Sequence, residues 1–138
     1  MSVMPMLAYA DASAAIDFLT RVFGFTESYR LQMPDGSIGH AELELQGAVI
    51  ALATAWRSMG IVPPNELNGV HCQISVQLKD VNAHFERSKK LGATITAAPE
   101  DQFHGHRMYR AVDPEGHRWV FQQKLRDVSV EEMKALMG

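Results

Sequence analysis

The sequence holds six histidines and a single cysteine, and several short segments place such groups where chemistry could follow. His40-Ala41-Glu42 sets an imidazole and a carboxylate two residues apart, on one face of an extended strand. That spacing suits a metal-ligand pair or a proton shuttle, and equally a solvated polar strand face. A zinc deaminase would add P-C-x-x-C, which one cysteine cannot supply. His104-Gly105-His106 puts two imidazoles before a strand, either a site for a transition metal or a surface loop. His71, Gln73 and Ser75 share strand parity and face one side, with Cys72, Ile74, Val76 and Leu78 on the apolar side. Two readings of His71 stay open: it hydrogen-bonds a ligand beside Gln73, or it caps the strand entrance after Asn68-Gly69. On a dry face the Cys72 thiolate would be desolvated, so it is not read as a nucleophile. Trp56, beside Arg57 and Met59, could stack on a planar ligand or pack under its own loop. His84 and His117 are read as structural or exposed. The sequence has no dinucleotide fingerprint, P-loop or nucleophile elbow.

The elements that must position these groups follow from hydrophobic period and punctuation. Met4–Tyr9 reads as a strand, and Asp11 as the N-cap of a helix carrying Ala12, Ala15, Ile16, Leu19, Val22 and Phe23 on one stripe. Gly24 ends that helix. Strands over 27–33, 39–45 and 48–53 follow, separated by Pro34-Asp35-Gly36 and Gln46-Gly47. Residues 54–68, with Pro63-Pro64, read as a linker or mobile loop. The order then repeats: a strand over 70–79, the N-cap Asp80, a helix through Phe85 closed by Gly92, and a strand over 93–97. A loop over 99–105 leads to strands over 106–112 and 117–124. Trp119 and Phe121 alternate with Arg118 and Val120 and belong to the core. Asp11 and Asp80 stand 69 positions apart and Gly24 and Gly92 stand 68 apart, an internal repeat of half the chain. Ser129 and Glu132 form a capping box, so a short packing helix is expected in the tail.

Composition narrows the function. At 138 residues the chain makes one domain or two half-domains sharing a core. Its 13 Lys+Arg against 16 Asp+Glu exclude a basic nucleic-acid binder, and it has no basic cluster for a membrane surface. No apolar run spans a bilayer, and the first residues lack a basic leader region. One cysteine excludes a disulfide framework and fits a reducing compartment, so a cytoplasmic location is expected. Eight methionines point to core filling or to an adaptable pocket.

The duplicated βαβββ order resembles the vicinal oxygen chelate superfamily of glyoxalase I, bleomycin-resistance proteins and extradiol dioxygenases, closest to its PhnB-like branch. The resemblance rests on Tyr9-Ala10-Asp11 through Leu19, on Val22-Phe23-Gly24-Phe25, and on Arg107 through Trp119 around Asp113-Pro114-Glu115-Gly116. It implies an α+β fold of two tandem modules with curved mixed sheets, in one domain over 3–124. Module 1 would cover about 3–54 and module 2 about 69–124, with a helical tail at 125–138. It also implies a homodimer, which the open sheet edges of each module favour. Carried over position by position, the superfamily's metal-ligand slots fall on Met4, Ala51, Gln73 and Val120. A thioether, an amide and two hydrocarbons are a poor donor set for a dication. No metal or other cofactor is therefore expected, and His40, Glu42 and His71 are the replacement ligands if one is present.

The expected function is a metal-independent binding protein that sequesters a small organic drug or metabolite, neutral or weakly polar. Met4, Met6, Ala51, Trp56, His71, Gln73 and Val120 would contact it. The alternatives are a metal-dependent lyase, isomerase or dioxygenase using displaced ligands, and a purely structural or interaction domain.

Overall fold

Strands apolar on one face only, each set followed by a helix with one apolar stripe, must bury those faces against each other. The chain does so twice. The computed structural model describes residues 2–138. The first unit contains β1 (Met6–Tyr9), α1 (Ala12–Arg21), β2 (Thr26–Gln32), β3 (Ile38–Leu45) and β4 (Ala48–Thr54). The second contains β5 (Ile74–Gln77), α2 (Val81–Lys90), β6 (Thr94–Asp101), β7 (His106–Val112) and β8 (Arg118–Lys124). The sheets run β1-β4-β3-β2 and β5-β8-β7-β6, and in each the first and last strands are parallel neighbours. This is the tandem βαβββ architecture that the repeat predicts. Asp11 and Asp80 cap their helices, accepting from the Ala14 and Ala83 amides.

Three expectations change. Strand β5 is four residues long and begins at Ile74, which pairs with Trp119. The partner strand β8 starts at Arg118, so residues 70–73 have no ladder to join. Cys72 consequently leaves the apolar face and is exposed. Strand β6 runs on to Asp101 through Pro99, where a loop was expected. It is an edge strand with two register irregularities, where a proline costs no ladder bond. The tail helix α3 (Val130–Met137) forms behind its Ser129 cap with none of its residues fully buried and Met133 half-buried beside Val128, so its packing is slighter than expected.

One continuous core joins the two units. Phe23, after α1, meets Trp119 and Phe121 of β8 at ring-centroid distances of 5.6 and 4.9 Å. His84 of α2 is buried there, with Nε2 2.8 Å from the Phe23 carbonyl and Nδ1 2.5 Å from the Tyr109 hydroxyl. The hairpin turn of each unit also reaches the strand–helix junction of the other. Glu115 accepts from the amides of Ala10 and Asp11, and Gln46, 69 positions earlier, accepts from the amide of Lys79. Beside Glu115 lies Asp113, a buried carboxylate with four donors: Tyr9 OH at 2.6 Å, Trp119 Nε1 at 3.1 Å, and the amides of Glu115 and His117 at 3.1 and 3.0 Å. Burial, and then the Asp113 charge, push the Tyr9 hydroxyl well above its ordinary value, so it stays a donor.

Tyr9→Phe should lower unfolding stability by about 1–3 kcal/mol, the cost of losing a hydrogen bond to a buried charge. Asp113→Ala, which orphans four donors, should cost more. Urea titration checks both, and a Tyr9→Phe protein as stable as the parent contradicts the role. Burial also holds His84 below the ordinary histidine value. The unfolded chain therefore takes up the His84 proton first, near pH ~6.5, and the folded chain only at lower pH. Stability must fall as pH drops through that value. Between pH 7.5 and 5.5 the loss in urea midpoint should be smaller in His84→Gln than in the parent.

Candidate functional site

Each sheet has one face packed on helices and one turned away from them. In the second sheet Tyr109, Ala111, Trp119 and Phe121 are buried against the core. Strand alternation sends Met108, Arg110, Val120 and Gln122 to the other side. Ser75 pairs with Val120, which pairs with Arg110, while Gln122 pairs with Met108. These residues line a depression of about 690 Å³, with His71 and Gln73 also among its walls. The Arg110 guanidinium donates to Gln73 Oε1 at 2.6 Å, and the Gln122 amide donates to Ser75 Oγ at 2.5 Å. Arg118 adds a second guanidinium, and none of the lining residues is acidic.

The matching face of the first sheet is different. His40 Nε2 lies 2.9 Å from Glu42, and the Tyr29 ring stands 5.9 Å from His40. Met6 pairs with Ala51, which pairs with Glu42. Ala51 is fully buried, so it offers little to a ligand, while Met6 is 68% exposed. A smaller cavity of about 240 Å³ lies between β1 and the inter-unit loop, with Met6, Ile61, His71 and Cys72 among its walls.

The structure thus divides the residues named from sequence. His71, Gln73 and Val120 share the large depression. Met6 meets His71 only in the small cavity. Met4 is half-buried before β1 and lines neither. Trp56 is 59% exposed, bridged to Ile61 across a tight turn, and lines neither. His104 and His106 face each other, Nδ1 to Nδ1 at 3.1 Å, in a surface hollow beside Lys124 and Arg126. His117 is half-buried, with Nε2 2.8 Å from the Ala8 carbonyl, a structural tie between units.

Sequence reading missed Arg110, Arg118, Met108 and Gln122. Their parity with Val120, across strands whose alternate residues are core aromatics, was the available signal.

The resemblance raised the question of a metal, and the residues do not fit one. Gln73 spends its one oxygen on Arg110, whose positive charge would repel a dication. Met4, Ala51 and Val120 add one thioether and no anion. Among the described residues no three His, Cys, Asp or Glu side chains form a metal-holding group, so His40, Glu42 and His71 are not gathered into a replacement set.

Residues 3–121 match the Glyoxalase/Bleomycin resistance protein/Dioxygenase superfamily. Uncharacterized proteins of Mycobacterium bovis and Mycobacterium tuberculosis are 35% identical over 140 residues, covering 99% of this chain and 92% and 82% of theirs. Among solved structures, TioX from Micromonospora sp. ML1 is 36% identical with a TM-score of 0.70, over 91% of this chain and all of TioX. The fosfomycin resistance protein FosX of Listeria monocytogenes shares the fold at 18% identity and a TM-score of 0.65, over 96% of this chain and 97% of FosX. The two βαβββ units and these matches agree: the chain belongs to the Glyoxalase/Bleomycin resistance protein/Dioxygenase superfamily.

Proposed function

We propose that this chain is a metal-independent small-molecule binding protein, which sequesters a drug or metabolite on the outer face of its second sheet. The observation that carries this reading is the 690 Å³ depression over β5, β7 and β8, which joins apolar Val120 and Met108 to Gln73, Arg110 and Gln122. Pockets for small molecules combine an apolar lining with a few convergent polar groups in this way. Within the superfamily we place the chain near the PhnB-like branch, on its Arg107–Trp119 segment.

The same reading treats residues 3–124 as one domain and the chain as a homodimer. Support comes from the edge strand β2, which leaves Tyr29 and Leu31 exposed and unpaired along its outer side. The depression is itself open on one side, so a second copy could cover it. An exposed, unpaired Cys72 suits a reducing, cytoplasmic setting. Among the described residues no helix is long and apolar enough to cross a membrane.

A thermal-shift screen of drugs and metabolites against metal-free protein tests the reading, because a ligand of the folded state raises the midpoint. Hits should keep their shift in the presence of a chelator. They should bind Gln73→Ala more weakly by about 0.5–1.5 kcal/mol, through loss of a polar contact and of the brace on Arg110. Hits that require added metal, or that ignore Gln73, contradict it.

A further inference from the structure

Resting on that binding reading and deepening it, we infer that the depression selects organic carboxylates over neutral molecules, with Arg110 as the residue that reads the charge. Arg110 stands on β7 in the middle of the face, register-paired with Val120 and Ala97. Gln73 accepts from one guanidinium nitrogen at 2.6 Å and leaves the charge of the group unneutralised. The remaining N–H donors have no hydrogen-bond partner among the described residues. A guanidinium held this way matches the two oxygens of a carboxylate through parallel hydrogen bonds.

The surroundings amplify the preference. Arg118 projects from the same face, as the parity of 118 with 120 requires, and has no ion-pair partner among the described residues. No lining residue is acidic, although the chain as a whole carries a net charge of −3. Glu100 of β6, register-paired with Met108, stands beside this face but does not line the hollow, while the face of the first sheet carries Glu42 and Glu44. The hollow thus holds two guanidinium groups and no lining acid, above a floor of Val120 and Met108 that would take the ligand's apolar body. The expectation of a neutral ligand, drawn from the four ligand slots, did not count these guanidinium groups.

A matched pair of probes decides the question: naphthalene-2-carboxylate and the isosteric naphthalene-2-carboxamide, titrated calorimetrically into the parent, Arg110→Gln and Arg110→Lys proteins. The carboxylate should bind the parent roughly ten- to a hundredfold more tightly than the amide, the worth of a charge-assisted contact. Added salt should narrow the gap. Arg110→Gln should abolish the preference, with the carboxylate losing far more affinity than the amide. Arg110→Lys should retain part of it, since charge survives and the planar fork does not. Equal binding of both probes by the parent overturns the inference, as does a preference that survives in Arg110→Gln. If neither probe binds while the thermal-shift screen yields neutral hits, the carboxylate class is wrong and the binding reading stands. If neither probe binds and the screen yields nothing, both fail.

Discussion

The fold depends on one buried carboxylate. Asp113 lies at the start of the β7–β8 turn, yet its four hydrogen-bond donors come from both halves of the chain. Tyr9 ends the first strand of one unit, and Trp119 starts the last strand of the other. A buried carboxylate is tolerable only when its oxygens are fully occupied. Satisfying Asp113 therefore fixes the distance between units. The neighbouring Glu115 secures the same junction from the surface side, capping the Ala10 and Asp11 amides. Gln46 makes the matching contact to Lys79 with a neutral amide, so the repeat survives at this point in geometry but not in charge.

That joint has a consequence for function. With the helices and the aromatic residues Phe23, Trp119 and Phe121 committed to the seam, the outer faces of both sheets are left for other work. The faces have diverged. On the first, an imidazole–carboxylate pair satisfies itself at 2.9 Å and Ala51 is filled in. On the second, Arg110 is braced by an uncharged partner and has no ion-pair partner among the described residues. Duplicated units with one polar face each have thus produced one self-paired surface and one on which we propose that the ligand binds.

Much of the fold was legible in the sequence because its signals are local. Asp11 and Asp80 announce their helices, and the 69-residue offset announces the duplication. The limits of β5 and β6 were not legible, since each depends on where a partner strand begins or whether an edge tolerates Pro99. The site was legible only in part. Gln73 and Val120 were placed by counting from Gly92 and from Asp113-Pro114-Glu115-Gly116, and His71 by its parity with Gln73; the three line one cavity. Arg110 escaped because its importance comes from a pairing between β7 and β8, which no single segment encodes. The grouping of Met4, Met6, Ala51 and Trp56 with them holds only for Met6 beside His71 in the small cavity, while Met4, Ala51 and Trp56 line neither.

The central claim is that the second sheet, and not the first, is the binding face. The direct measurement is a backbone amide NMR titration of the ¹⁵N-labelled protein with naphthalene-2-carboxylate. The account predicts that saturating shifts cluster at Gln73, Ser75, Arg110, Val120 and Gln122. Shifts centred on Met6, Glu42 and Ala51, with β7 and β8 silent, would contradict it.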